Sequence, residues 1–371
     1  MKTLRRLIYT ELLVSIAFVA LGFLGLFFFF DLVDELQAVG RSGPQGYSLS
    51  HALIYVTLLV PSHLYELLPI FVLIGTIFVM ARFAQSSEYT ILRTSGLGPW
   101  RALRMLLVLG MGFAVMTFAL GDYLAPLSDR TAQLLKSRFQ GNITTGQTGA
   151  WLKERQRYHD YSVNVAAIAP DGSLLGVRIF EFDAKGRLVS QTKAPKARFS
   201  QGDAWLLEEA DRTDFQPSEA GNQARPQISR IHTPGLRWPT EITAEMVSVA
   251  LLKPERMATI DLFQYIRHLN ANGQSAQRYE IEFWKKVFYP IACLVMVVLA
   301  LPFAYLHFRT AGITSYVFFG VMLGISFFLV NNVVGHIGNL RSWQPWLTAA
   351  APGLLYSLVS LAAFGWLVLR H

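Results

Sequence analysis

Six stretches of this chain stay apolar for long enough to cross a lipid bilayer, and their spacing limits the possible folds more than any other feature. A membrane helix needs about 20 apolar residues to cover a hydrocarbon core of roughly 30 Å. Residues 12–30 run without a single charge, and a second run covers 52–81 around Pro61, Glu66 and Pro69. The third covers 105–125, and apolar runs resume at 287–308, 312–335 and 346–369. Between the two sets of three lies a long segment of different character. The expected fold is an α-helical membrane protein with six transmembrane helices, three plus three, and an inserted β domain. Its boundaries fall at 1–127, 128–277 and 278–371. Only 16% of the residues are charged and 52% are hydrophobic, against about 25% charged in ordinary globular domains. A soluble enzyme with one core is thereby excluded.

The first run has a basic start (Lys2, Arg5, Arg6), but it is too long for a signal-peptide core and ends in Phe27–Phe30 and Asp31 with no small-residue cleavage site. It reads as a retained span. Short loops rich in Lys and Arg stay on the cytoplasmic side. Lys2, Arg5, Arg6, Arg82, Arg93, Arg101, Arg104, Arg309 and Arg370 fall on one side, and only Arg41 and Arg341 lie in the short loops opposite. Both termini are therefore expected in the cytoplasm, with the inserted domain outside. The net charge of +8 forms no dense stripe of the kind nucleic acid requires.

The insertion reads as β. Strand-like runs at 161–169, 174–182 and 188–193 are separated by Pro170-Asp171-Gly172-Ser173 and Ala184-Lys185-Gly186-Arg187, and a further hairpin turns at Gln201-Gly202-Asp203. Short strands with turn signals at this spacing suggest an antiparallel sandwich or jelly roll. Residues 217–235, rich in proline and polar groups, read as a long loop. Ile260, Phe263, Ile266 and Leu269 stand at helical spacing ahead of span four.

Chemistry-bearing motifs are sparse. There is no G-x-x-x-x-G-K-[ST] phosphate loop and no H-E-x-x-H helix. The single cysteine, Cys293, excludes an intrachain disulfide and a Cys-based zinc site. Ser326 and His336 sit on one helix about 15 Å apart in rise, too far for a nucleophile–base pair. No metal ligand set stands out.

Between spans two and three, Ser86 or Ser87 can cap a short helix of about 86–96, with Glu88 at its positive end and Gly96 to stop it. Tyr89, Ile91, Leu92 and Arg93 complete a surface able to dock on a cytoplasmic partner; an ordinary connecting turn is the plainer alternative. Ionisable groups inside spans cost about 2.5–3.5 kcal/mol on insertion scales, which singles out Glu66, close to His63. It either lines a polar cavity, pairs with another subunit, or is satisfied locally near the interface. Asn331, Asn332 and His336 bond between helices or line an exit for a polar headgroup. Gly320 and Gly324 allow two helices to approach closely.

Several short motifs, in this order and spacing, resemble the permease subunits of the bacterial lipopolysaccharide-export transporter, the Lpt F/G family, and most of all its G type. They are Leu32-Val33-Asp34-Glu35-Leu36, Val60-Pro61 with Pro69, Ser87-Glu88 with Ser95-Gly96, Ala125-Pro126, residues 279–290, and Ala351-Pro352. The resemblance covers nearly the whole chain. It implies a periplasmic jelly-roll domain and an inner-membrane location in a Gram-negative bacterium. It also implies a heterodimer with an F-type permease subunit, a cytoplasmic ATPase dimer, and a single-span partner carrying its own periplasmic jelly roll. Lipopolysaccharide is taken from the outer leaflet of the inner membrane and passed to a jelly-roll bridge. ATP and magnesium belong to the ATPase, so this chain would bind no cofactor and be no enzyme. Glu88 corresponds to the coupling carboxylate. Asp34, Leu67 and the Asn331–Asn332 region become cavity or gate candidates beside Arg41, His63 and Glu66. Where some members place lysines at the outer end of span one, this chain has Asp31, Gln37 and Ala38, so Arg41, Lys136 and Arg138 are the candidates for phosphate contact.

Two other readings compete. One is a membrane receptor or scaffold whose outer β domain binds a ligand without transport. The other is an ABC permease for lipoproteins or cell division, which usually has four spans.

Overall fold

The structure, a computed structural model, describes residues 2–40, 46–86, 98–140, 149–156, 158–169, 171–200, 203–216, 227–243, 246–247, 254–304 and 313–370. The helices are α1 (Lys2–Leu36), α2 (Leu49–Gln85), α3 (Pro99–Ala119), α4 (Ala125–Gln140), α5 (Thr259–Ala271), α6 (Gln277–Ala300), α7 (Ile313–Leu340) and α8 (Pro345–Arg370). A π-helical turn, Leu120–Leu124, joins α3 to α4. Six helical stretches are long and apolar enough to cross a membrane: three before the β insertion and three after it. The chain forms two compact units, one of the membrane helices and one of residues 38–51 with 130–276.

In the helical unit α2 is the enclosed element: its residues from Leu68 to Ile77 are all buried. Small residues bring its neighbours close. A Cβ on Gly75 would fall 2.6 Å from Ile16 of α1, and one on Gly324 of α7 would fall 2.7 Å from Ile70. The glycine pair of span five therefore seats α7 against α2 within this chain. A core of Leu12, Phe71, Val79, Leu106, Cys293 and Val297 fills the space among α1, α2, α3 and α6. The outward faces of α1 and α7 are apolar and exposed, including Phe18, Leu21, Phe318 and Phe319, as lipid- or subunit-facing helices should be.

The second unit holds one antiparallel sheet in sequential order: β1 (Ala150–Arg155), β2 (Asp160–Ile168), β3 (Leu174–Phe182), β4 (Leu188–Ser200), β5 (Ala204–Gln216) and β6 (Gln227–Pro239). The expected hairpins are present as antiparallel pairs, β2 with β3, β3 with β4 and β4 with β5; Pro170, Gln201 and Gly202 of their turns lie outside the described residues. The expected loop over 217–235 is overturned in part, because β6 begins at Gln227 and pairs along β5 from Gln216 to Ala204. One face of the sheet is buried by alternation: Leu152, Val163, Val177, Ile179, Trp205 and Leu207 all lie inside.

A single sheet with one buried face needs something to cover it, and this sheet covers itself. Pairings on either side align Ala166 with Gly176, Gly176 with Pro195, Pro195 with Glu209, and Glu209 with Pro234. Gly149 continues that row next to Ala166. Gly149, Gly176 and Glu209 have φ of +70°, +62° and +49°, and the two prolines offer no N–H to the ladder. The row is a crease across every strand. Folding along it brings Trp238 of β6 to Tyr161 of β2, ring centroids 5.7 Å apart. Glu154 of β1 then accepts from the Thr240 hydroxyl and from the Glu241 amide at 3.0 Å. The result is the inserted jelly-roll-like domain.

Candidate functional site

The C-terminal part of α1 and the middle of α2 bring together a distinctive polar group at the expected cavity residues. His63 Nε2 lies 2.7 Å from Asp31 Oδ2, with both side chains about one quarter exposed. Phe27, one turn earlier on α1, stacks on the imidazole at 5.0 Å. A hydrogen-bonded pair backed by an aromatic ring lowers the cost of placing two ionisable groups in spanning helices. Asp31 takes its place here although the sequence singled out Asp34; Asp34 is exposed, and its carbonyl accepts the Gln37 amide at 3.3 Å. Leu67 packs on the core cluster.

Glu66 follows His63 and Tyr65 along α2. Its residue is exposed, and its backbone carbonyl accepts the hydroxyl of Tyr289 from α6. Tyr289 in turn lies 5.2 Å from the ring of Tyr65. On α7, Asn331 is half-buried and Asn332 exposed. Among the described residues no contact joins either of them to the Asp31–His63 pair. Lys136 is half-buried on α4, Arg138 lies in the same helix, and both belong to the other unit. Arg41, Glu88, Tyr89, Ile91, Leu92 and Arg93 lie outside the described residues.

The sequence reading passed over Lys285 and Lys286. Two adjacent cations moved the expected start of span four to residue 287, yet α6 begins at Gln277 and holds both. Lys285 pairs with Glu282 at 2.6 Å and lies against Gly335 of α7. Lys286 is only 8% exposed and donates to the Gly121 carbonyl at 2.9 Å. The signal that could have found them is the run Glu280-Ile281-Glu282, which places acidic partners one turn before the lysines.

Inside the β unit, Glu181 is a buried carboxylate that accepts from Ser190 Oγ at 2.6 Å, Arg212 at 3.1 Å and the Tyr161 hydroxyl at 3.2 Å. Burial, and then the charge of Glu181, push the Tyr161 phenol up to about 12. The folded sheet is therefore apolar around Trp205, Trp238 and Leu152, and polar around Glu181.

Comparison with known proteins agrees with this layout. Over residues 6–368 the chain matches the family described as lipopolysaccharide export system permease LptF/LptG. It is 26% identical over 341 residues to the lipopolysaccharide export system permease protein LptG of Escherichia coli K12, covering 91% of this chain and 90% of that one. It is 24% identical over 371 residues to the protein of the same name from Haemophilus influenzae, covering 99% and 98%. With six spans, an inserted antiparallel sheet and a match that runs nearly end to end, the chain belongs to the lipopolysaccharide export system permease LptF/LptG family.

Proposed function

We infer that this chain is the G-type permease subunit of a lipopolysaccharide exporter, seated in the inner membrane as a multi-pass protein. The family match over residues 6–368 carries the reading, and the relatives named LptG favour the G type. The chain pairs with an F-type permease subunit and sits on a cytoplasmic ATPase dimer that supplies the energy. Both termini face the cytoplasm, as the Lys and Arg distribution argues, and the β unit faces the periplasm.

Lipopolysaccharide is drawn from the outer leaflet into the space between the two permeases. Exposed apolar faces on α1 and α7 suit its acyl chains, and the Asp31–His63 pair suits a polar rim. Arg41, Lys136 and Arg138 are the cations offered to phosphate. The lipid then moves to the folded β sheet. Strands β1 and β6 are its two edges, and an edge can extend onto the jelly roll of a single-span partner by strand addition.

The test is reconstitution of the copurified complex in vesicles loaded with lipopolysaccharide, with a soluble periplasmic acceptor outside. ATP-dependent transfer to the acceptor, lost when this chain is omitted, is the expected result. Equal transfer without the ATPase, or binding without transfer, would overturn the reading.

A further inference from the structure

Four of the spanning stretches contain a proline in helical surroundings, Pro61 of α2 and Pro352 of α8 among them; three of these prolines bear on one place in the fold, Pro69 in α2, Pro126 at the start of α4 and Pro290 in α6. A proline lacks the N–H that would bond the carbonyl four residues earlier, and its ring crowds that carbonyl. The residues four before these three are Tyr65, Asp122 and Lys286. The fold gathers all three positions at one place. Lys286 Nζ lies 5.7 Å from the centre of the Tyr65 ring and 2.9 Å from the carbonyl of Gly121, the neighbour of Asp122. A Cβ on Gly121 would come within 2.2 Å of the same ring.

The π-turn makes the Gly121 carbonyl dependent on Lys286. In an α-helix that carbonyl would accept from the amide of Ala125. Here the Ala125 amide bonds Leu120, five residues back. The next amide along belongs to Pro126, which has none to give. A carbonyl stripped of both backbone donors, inside an apolar bundle, needs a side-chain donor, and Lys286 supplies it from a different helix.

We propose that Lys286 is a positioning residue of lipid export: it pins a joint at which α2, the α3–α4 helix and α6 are each weakened by proline and pivot together. The proposal rests on the transport function inferred above. In sequence, α2 and α3 flank the segment expected to meet the ATPase. From Tyr65 to Gln85 is 20 residues and from Pro99 to Gly121 is 22, about 30 and 33 Å of helix. Two levers of nearly equal length thus meet at one pivot, and α6 leads from it toward Lys285 and the Gly335 face of α7. π-Turns recur at such functional positions in helices.

Three variants, assembled with the partner proteins and reconstituted, separate a pivot from a mere structural bond. Lys286→Met removes the donor, and both the thermal midpoint of the complex and its export rate should fall. Pro126→Ala returns an amide that can serve the Gly121 or Asp122 carbonyl. It should leave the midpoint at or above wild type while export drops by about fivefold or more, the lower end of coupling between linked sites. The double variant Lys286→Met with Pro126→Ala should regain stability and remain slow. Export at the wild-type rate in Pro126→Ala, or recovery of export together with stability in the double variant, overturns the proposal. If Lys286→Met does not assemble, the other two variants still decide. Absence of export by the wild-type complex would instead remove the transport reading on which the proposal stands.

Discussion

His232 on β6 sits between two carboxylates of β5, Asp211 Oδ1 at 2.8 Å from one ring nitrogen and Glu209 Oε2 at 3.0 Å from the other. The hydrogen bond to Asp211, reinforced by both negative charges, holds the imidazole above its ordinary value of 6.5. A raised folded value means that the protonated pair supports the sheet fully below 6.5, with that support lost as the pH rises through the folded value. The imidazole resonance of His232 in the purified chain should therefore titrate above 6.5, and Asp211→Asn should bring its midpoint down; an unchanged midpoint would refute the pairing. Glu181 illustrates the buried counterpart. Glu181→Ala strips the acceptor from the buried Ser190 hydroxyl, which costs about 1–3 kcal/mol for an orphaned donor. Because Glu181 is one of the groups that raise Tyr161, the same variant should lower the phenol's titration midpoint in a spectrophotometric titration, with the share due to burial remaining.

At the scale of elements, the crease decides how the β unit closes, and it can be tested against a neighbour that lies off it. Gly176 has a φ of +62°, and an added Cβ would meet that of Ala166 at 2.9 Å. Gly176→Ala should destabilise the unit by at least about 1–2 kcal/mol from backbone strain alone. Gly235→Ala, in the same sheet with open space around it, should stay within about 0.5 kcal/mol. Hydrogen exchange across β2 and β3 in the full chain reads the difference, and equal exchange in the two variants would refute the crease. The hairpins on either side of β3 were legible because Pro-Asp-Gly and Lys-Gly turns punctuate period-two alternation. Strand β6 was not legible. Its Pro234 and Gly235 look like loop residues, and only the alignment of Pro234 with Glu209 and Pro195 on other strands shows that Pro234 belongs to a fold line. A row that runs across strands has no signature along the chain. One partner inside α6 was hidden in the same way: Lys285 and Lys286 count against a span in any hydropathy reading, and the Gly121 carbonyl that Lys286 meets is found only in three dimensions.

For the molecule as a whole, hydropathy sufficed to give the three-plus-three layout, because spanning length is fixed by the bilayer and not by the neighbours of each helix. The lipid-facing details were less legible. The sequence singled out His63 beside Asp34 and Glu66, and the structure gives His63 its partner, Asp31, and shows the carbonyl of Glu66 bonded to Tyr289. Energy transfer follows from the same layout. In the function inferred above the work comes from a partner ATPase, and α2 and α3 are joined in sequence through residues 86–98. A push on that segment acts on both helices, and one of them, α2, has buried core residues from Leu68 through Ile77. A buried helix in close contact with its neighbours cannot shift alone, since interiors packed to crystal density transmit displacement instead of absorbing it. Glu88 is the family's coupling carboxylate by resemblance. Glu88→Arg reverses the charge of that carboxylate. Stimulation of ATP hydrolysis by lipopolysaccharide in the reconstituted complex should fall by about tenfold or more, equivalent to about 1.4 kcal/mol of lost coupling. Unaltered stimulation would mean that the push reaches the spans by a route other than this segment.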